Sequence, residues 1–327
     1  MRSARLSLAL ETGAFAVPDD GLIAVYRPRI GDDLSDLPQD RVVVLTGFKP
    51  DHDHFAQRFR VEPAPPYAAA VVCLPRAKAE ARALIAQAAS EVRPGGLIAV
   101  DGQKTDGVDA VLKDLRGRVA VSESLSKAHG KLATFRAGPG LEEWAARPTV
   151  IEGGFQTLPG VFSADGPDRG SVLLAAALPA KLGPKVADLG AGWGFLGRAI
   201  LAREGVKRLE VVEAEAAALD CARVNLPDER ARFHWADATV FRPENLVETV
   251  VMNPPFHTSR TADLALGVSF IRAARRMLAP DGVLWMVANR HLPYDAVLTE
   301  LFLTVEDAGG DGAFRVIRAA KPRRTKH

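Results

Sequence analysis

From about residue 186 onward, short aliphatic and β-branched runs alternate with stretches whose apolar positions repeat at the helical period. Residues 186–189, 209–213, 232–236 and 249–252 read as strands. Residues 195–204, 214–225 and 263–278 read as the helices around them. Pro280-Asp281-Gly282 turns the chain into a fifth strand at 283–288, and a helix at 295–302 with strands at 303–306 and 314–318 completes the series. Strands that are apolar on both faces and joined by helices predict a parallel sheet covered on both sides. The expected architecture is α/β: a doubly wound, mostly parallel sheet closed by an antiparallel edge hairpin.

The first half carries a fainter copy of this pattern. Val71-Val72-Cys73-Leu74-Pro75-Arg76 precedes a helical stretch at 78–92, then Arg93-Pro94-Gly95-Gly96 and a strand at 97–100. The same order of strand, proline, helix, Pro-Gly turn and strand recurs over 250–287, with Ala279-Pro280-Asp281-Gly282 as the turn, so we read an internal duplication. In this alignment Leu74 stands where the second copy has Asn253. The earlier strand, 42–45, runs into Thr46-Gly47-Phe48 and not into a multi-glycine turn. The chain is therefore expected to hold two tandem Rossmann-like domains: a degenerate one over 1–145, for recognition or support, and a catalytic one over 146–327. The linker is expected near 138–147, where Gly, Pro and charge concentrate.

Composition narrows the class. A chain of 327 residues suits two domains, and 47% apolar with 25% charged residues is ordinary for a globular protein. No apolar run approaches the ~20 residues a membrane helix needs. Residues 2–17 resemble a short signal peptide, but Glu11 interrupts the apolar part, so a cytoplasmic, membrane-free protein is expected. Cys73 and Cys221 sit in apolar or helical contexts and read as reduced core residues. His52-Asp53-His54 lacks a partner at ligand spacing, so no metal is expected. A net charge of +2 does not by itself indicate a polyanion partner. Arg272, Arg275 and Arg276, and the tail residues Lys321, Arg323, Arg324 and Lys326, could meet phosphates or simply face solvent.

Chemistry concentrates at the strand ends. Asp188-Leu189-Gly190-Ala191-Gly192-Trp193-Gly194 joins a strand to a helix, where glycines let a ligand approach backbone N–H groups. Gly192, Gly194 and Gly197 also match the dinucleotide fingerprint, with Glu213 at the acidic position, so the turn alone leaves nicotinamide dinucleotide and S-adenosylmethionine both open. Glu213 could take two ribose hydroxyls, Asp237 an adenine amine, and Asp188 could order the loop and the ammonium end of a cofactor. Each acid could equally cap the next helix. Asn253-Pro254-Pro255-Phe256 separates the two cofactors. Prolines cannot extend a strand. The Asn253 oxygen and the Pro254 carbonyl could therefore accept the two hydrogens of a planar amine, with Phe256 stacked on its ring. A dehydrogenase has no use for this. His257 beside it reads as a satisfied neutral histidine.

Taken together, Leu158-Pro159-Gly160-Val161-Phe162-Ser163, Asp168-Arg169-Gly170-Ser171, the glycine turn, Asn253 to His257 and Val287-Ala288-Asn289-Arg290-His291-Leu292-Pro293-Tyr294 resemble the RsmC-type bacterial ribosomal RNA guanine-N2 methyltransferases. The similarity runs on through 314–319, and Gly102-Gln103-Lys104-Thr105-Asp106-Gly107 extends it to the first half. The resemblance implies a degenerate domain ahead of an active one. It implies S-adenosylmethionine held by Asp188, Leu189, Gly190, Ala191, Gly192 and Gly194, by Glu213 with Ala214, by Asp237 with Ala238, and by Ser171 and Asn253. A guanine would be held by Asn253, Pro254, Pro255 and Phe256, and the 162–171 loop would help close the site. The implied enzyme is monomeric and acts on small-subunit ribosomal RNA, free or in an assembled subunit. Large-subunit RNA, protein glutamine and adenine N6 are alternative acceptors of the same pocket type. Outside the class stand a nicotinamide-dependent oxidoreductase and a non-catalytic RNA-binding assembly factor.

Overall fold

The computed structural model describes residues 3–255 and 264–323, and the chain divides into two compact units, Met1–Pro148 and Thr149–His327. In the first unit, α1 (Ser3–Glu11) precedes β1 (Ile23–Tyr26), β2 (Val42–Leu45), α2 (Lys49–Phe55), β3 (Tyr67–Cys73), α3 (Lys78–Glu91), β4 (Val92–Gln103), α4 (Val108–Arg116), β5 (Leu125–Lys127) and β6 (Gly130–Arg136). The sheet order is β2-β1-β3-β4-β6-β5. Its first four strands are parallel, and β6 runs antiparallel to both neighbours. Every residue of β3 is buried, as a central parallel strand requires. The stretch that resembles a signal peptide forms α1. Its Arg5 is fully buried, paired with Asp101, and donates to the Lys127 and Ala128 carbonyls. Leu141 and Trp144, in the segment expected as linker, are buried in the core of this unit, so their apolar side chains outweigh the surrounding Gly, Pro and charge.

The second unit opens with a hairpin, β7 (Thr149–Ile151) and β8 (Phe155–Thr157), and continues with α5 (Arg169–Ala177), β9 (Lys185–Leu189), α6 (Phe195–Leu201), β10 (Arg208–Glu213), α7 (Ala216–Asn225), β11 (Ala231–Trp235), β12 (Val247–Met252), α8 (Leu264–Met277), β13 (Leu278–Asn289), α9 (Asp295–Leu301), β14 (Phe302–Gly310) and β15 (Phe314–Pro322). The order is β11-β10-β9-β12-β13-β15-β14, parallel through β13, with β15 antiparallel between β13 and β14. Alternate residues of β12 feed opposite cores. Val250 and Met252 pack with Phe270, Ile271 and Met277 of α8, whereas Val251 packs with Leu174 of α5 and Ile200 of α6. Among the described residues no helix is long and apolar enough to cross a membrane.

Strand register refines the internal duplication. β3 meets β4 at Tyr67↔Val92 and, after a bulge, at Ala69↔Leu97; β12 meets β13 at Val247↔Leu278 and then at Thr249↔Val283. Ala69 thus corresponds to Thr249, and Cys73, not Leu74, corresponds to Asn253. The counterpart of β9 is β1 and not 42–45, because Ile23 pairs with Ala69 as Val186 pairs with Thr249. β1 runs into Arg27-Pro28 and not into a glycine turn, so nothing in the sequence marks it as the counterpart of β9, which put the expected alignment one strand out. Val25 then replaces Asp188, Arg27 replaces Gly190 and Thr46 replaces Glu213. Arg27 keeps the left-handed backbone of the glycine it replaces, φ 56° against 71°, and pairs with Glu80. The outermost strand has shrunk to a single parallel bridge between Val43 and Arg60, with the Val44 N–H donating to the Arg60 carbonyl at 2.8 Å.

Three of the candidate basic residues serve the fold. Arg275 donates to the Arg323 carbonyl and Arg276 to the Thr239 carbonyl, while Arg323 Nε donates to the carbonyls of Thr299 and Phe302. Arg272 is exposed. Arg324 and Lys326 lie outside the described residues.

Candidate active site

Leu189 pairs with Val212 on one side and Met252 on the other, so the glycine loop leaves the sheet between the tips carrying Glu213 and Asn253. Gly190, Gly192 and Gly194 all have positive φ, at 71°, 55° and 94°. At Gly192 an added Cβ would meet nothing within 4 Å, so the loop bends around open space. Gly197 serves packing instead: a Cβ there would come within 2.7 Å of Leu226. Trp193 turns inward, edge-on to Phe155 with ring centroids 4.8 Å apart. Its Nε1 donates to the Phe162 carbonyl at 3.0 Å, and its own carbonyl accepts from Asn225 Nδ2 at 2.8 Å. A bulky residue inside the glycine turn therefore anchors the loop that carries Phe162.

The three acids have different settings. Glu213 Oε2 accepts from the Gly192 N–H and Oε1 from the Glu215 N–H, both at 2.8 Å, so it braces the glycine loop and the entry to α7. Burial raises its pKa and these N–H groups pull it back. Asp237 Oδ1 accepts from the Thr239 N–H at 2.8 Å and from its hydroxyl at 2.7 Å, a local turn. Its other oxygen has no donor among the described residues. Asp188 is wholly buried, and among the described residues neither of its oxygens has a hydrogen-bond partner of normal geometry. Burial first, and the nearby Glu213 second, push its pKa up to about 8; the facing Gly197 N–H offsets this only in part.

A carboxyl raised in the folded state binds a proton that the unfolded chain has released. Its contribution to stability is therefore present below the unfolded value near 4 and is lost as pH rises to about 8. Asp188→Asn, which cannot ionise, should gain thermal stability over the parent protein as pH is raised from 5 to 8. Melting curves at several pH values check this, and a difference that stays constant with pH would show that Asp188 is ionised in the fold.

Asn253 is held by two acceptors. Its Nδ2 donates to Asp168 Oδ2 at 2.9 Å and to Ser171 Oγ at 2.8 Å. Asp168 caps α5, its Oδ2 also accepting from the Ser171 N–H at 3.0 Å. These residues line a cleft with Gly190, Ala191, Gly192, Trp193, Phe162, Ser163, Phe195 and Leu196. The structure thus brings together the glycine loop, Ser171 and Asn253. Glu213, Ala214 and Asp237 stand farther along the same edge, and Leu189 and Ala238 are buried and can offer only backbone. Pro254 is buried, Pro255 is exposed, and Phe256 and His257 lie outside the described residues. The sequence reading did not anticipate the role of Asp168. Its signal was a helix-capping pattern, Asp168 three residues before Ser171, which reports a helix start and not a partner 85 residues away.

Sheet order separates two classes that the glycine spacing left open. A dinucleotide-binding sheet continues parallel in the order 3-2-1-4-5-6. Here an antiparallel seventh strand is inserted beside the fifth, and with Asn-Pro-Pro at the tip of the fourth this makes the unit a methyltransferase. A family model described as "Methyltransferase small domain" matches residues 152–318. The chain is 32% identical to the ribosomal RNA small subunit methyltransferase C of Alteromonas mediterranea over 260 residues, 76% of this chain and 72% of that one. It is 31% identical to the Salmonella choleraesuis protein of the same name, over 77% of this chain and 75% of that one. A solved T. thermophilus structure, a 16S rRNA N2 methyltransferase (RsmC) in complex with AdoMet and guanosine, superposes with a TM-score of 0.78 at 25% identity, covering 94% of this chain and 90% of that one. The chain belongs to the ribosomal RNA small subunit methyltransferase C family.

Proposed function

We propose that the chain transfers a methyl group from S-adenosylmethionine to the exocyclic N2 of a guanine in small-subunit ribosomal RNA, in the cytoplasm. The observation that carries this reading is the Asn253 amide. Both of its N–H hydrogens are taken up inside the protein, so its oxygen is the group left for a ligand in the cleft. The residues present fit the cofactor. Gly192 offers an open concave backbone, and the Ser171 hydroxyl accepts from Asn253 and keeps its own hydrogen to donate. Glu213 retains a lone pair on each oxygen for ribose hydroxyls, and the second Asp237 oxygen can accept from an adenine amine.

Bound S-adenosylmethionine supplies an electrophilic methyl carbon on a sulfonium sulfur, and the sulfur keeps the bonding pair when that carbon leaves. Asn253 Oδ1 and the Pro254 carbonyl hold the two hydrogens of N2, which draws its lone pair out of conjugation with the ring. N2 bonds to the methyl carbon and then loses one proton to water. Rate comes from this positioning, and no strong base is required. A paired guanine has to be rotated out of its helix to enter, so the first unit is assigned to gripping RNA.

The test is mass spectrometry of ribosomal RNA from a strain lacking the protein. One N2-methylguanine should be missing from the small-subunit RNA and should return when purified protein and S-adenosylmethionine are added. A small-subunit RNA that keeps all its methyl groups, or a loss confined to the large subunit, would overturn the proposal. Running the add-back on naked RNA and on assembled subunits in parallel identifies the form of the substrate.

A further inference from the structure

We infer that Asp168 and Ser171 are positioning residues that set the direction of the Asn253 side-chain amide, and thereby make the cleft select an amine and reject a carbonyl. The inference rests on the reading above that Asn253 meets the substrate.

A primary amide is nearly symmetric in shape. Turning it by half a revolution exchanges a donor for an acceptor at almost no steric cost, so its surroundings decide which end faces outward. At Asn253 one hydrogen of Nδ2 goes to Asp168 Oδ2 and the other to Ser171 Oγ. The serine alone would not decide the matter, because a hydroxyl accepts or donates as needed. The carboxylate has no hydrogen to give. Reversing the amide would set Asn253 Oδ1 against Asp168 Oδ2, lone pair against lone pair. Asp168 is in turn fixed to the start of α5, because the same oxygen accepts from the Ser171 N–H at 3.0 Å. The direction of the amide is therefore tied to a helix terminus and not to a free loop.

The consequence is a site of fixed polarity. With the amide locked, Oδ1 presents only lone pairs to the cleft. A purine with an amine at C2 offers hydrogens to them; one with a carbonyl at C2 offers lone pairs and is repelled; one with hydrogen at C2 leaves the acceptor unmatched. Sites built around one hydrogen-bonded group reject analogues lacking it far more strongly than apolar pockets reject a change of size. Asp168 would then govern guanine recognition without touching the base.

Asp168→Ser separates this role from helix capping, since serine caps helices well but is too short to reach Asn253. The side-chain amide of Asn253 can be followed by nitrogen-15 NMR in the full chain, assigned by its absence in Asn253→Ala. Its hydrogens should exchange with solvent at least about tenfold faster in Asp168→Ser. Methyl transfer in a single turnover should slow by about 10²-fold, a magnitude known for loss of one preorganised polar group. S-adenosylmethionine affinity by calorimetry should stay within about twofold, and Asp168→Asn, which keeps both the cap and an acceptor, should recover much of the rate. Unchanged amide exchange in Asp168→Ser, or cofactor affinity falling in step with rate, would overturn the lock. A parent protein that methylates no guanine would sink the proposed function instead, and the exchange measurement would still judge the lock.

Discussion

Asn253→Ala should slow methyl transfer to guanine by about 10²–10³-fold while leaving the affinity for S-adenosylmethionine within about twofold. The variant deletes the oxygen that faces the cleft and keeps the glycine loop, whose geometry depends on Glu213 and Trp193. Asp168 loses one donor but still accepts from the Ser171 N–H, so the cap of α5 survives and the fold should be little affected. Single-turnover kinetics together with calorimetry make the distinction. Loss of cofactor affinity in proportion to rate would move Asn253 into the cofactor site, and undiminished transfer would remove it from the mechanism.

Glu213→Ala should act on the other half of the reaction. The carboxylate takes up the Gly192 and Glu215 N–H groups and is proposed to hold the ribose as well. Removing it leaves two backbone donors unmatched and loosens the loop that cradles the cofactor. Affinity for S-adenosylmethionine should fall by about 2 kcal/mol, roughly thirtyfold in Kd, the scale of hydrogen bonds to a charged group. Glu213→Gln keeps one acceptor and should fall between the two. Titration calorimetry reads the result directly, and an unchanged Kd would remove Glu213 from the cofactor site.

Much of the second unit was legible because its strands are apolar runs with punctuation: β9 ends in glycines, β12 in prolines, and the apolar part of β13 follows Pro280-Asp281-Gly282. The hidden elements lack such marks. β1 is four residues without a periodic flank, the β7–β8 hairpin has three residues per strand, and α1 resembled the start of an export signal until its arginine proved to be buried. At the site, the residues that would touch ligand stand at strand tips where spacing exposes them. The residue that orients one of them does not, since the Asp168–Asn253 contact spans 85 positions and is made by the fold alone. Asp188 shows the opposite: it reads as a loop acid, and its enclosure in the core is set by the fold.

The single-bridge remnant at Val43 and Arg60 makes the decay of the first unit hard to reverse. Val25→Asp, Arg27→Gly, Thr46→Glu and Cys73→Asn would together reinstate three lost side chains and a glycine, yet a whole strand would still be wanting, and with it the tip from which a third acid could reach a nucleoside. Freed from the demands of turnover, that unit can drift in surface and charge as long as its core holds, so recognition of a substrate can evolve there without risk to the working centre.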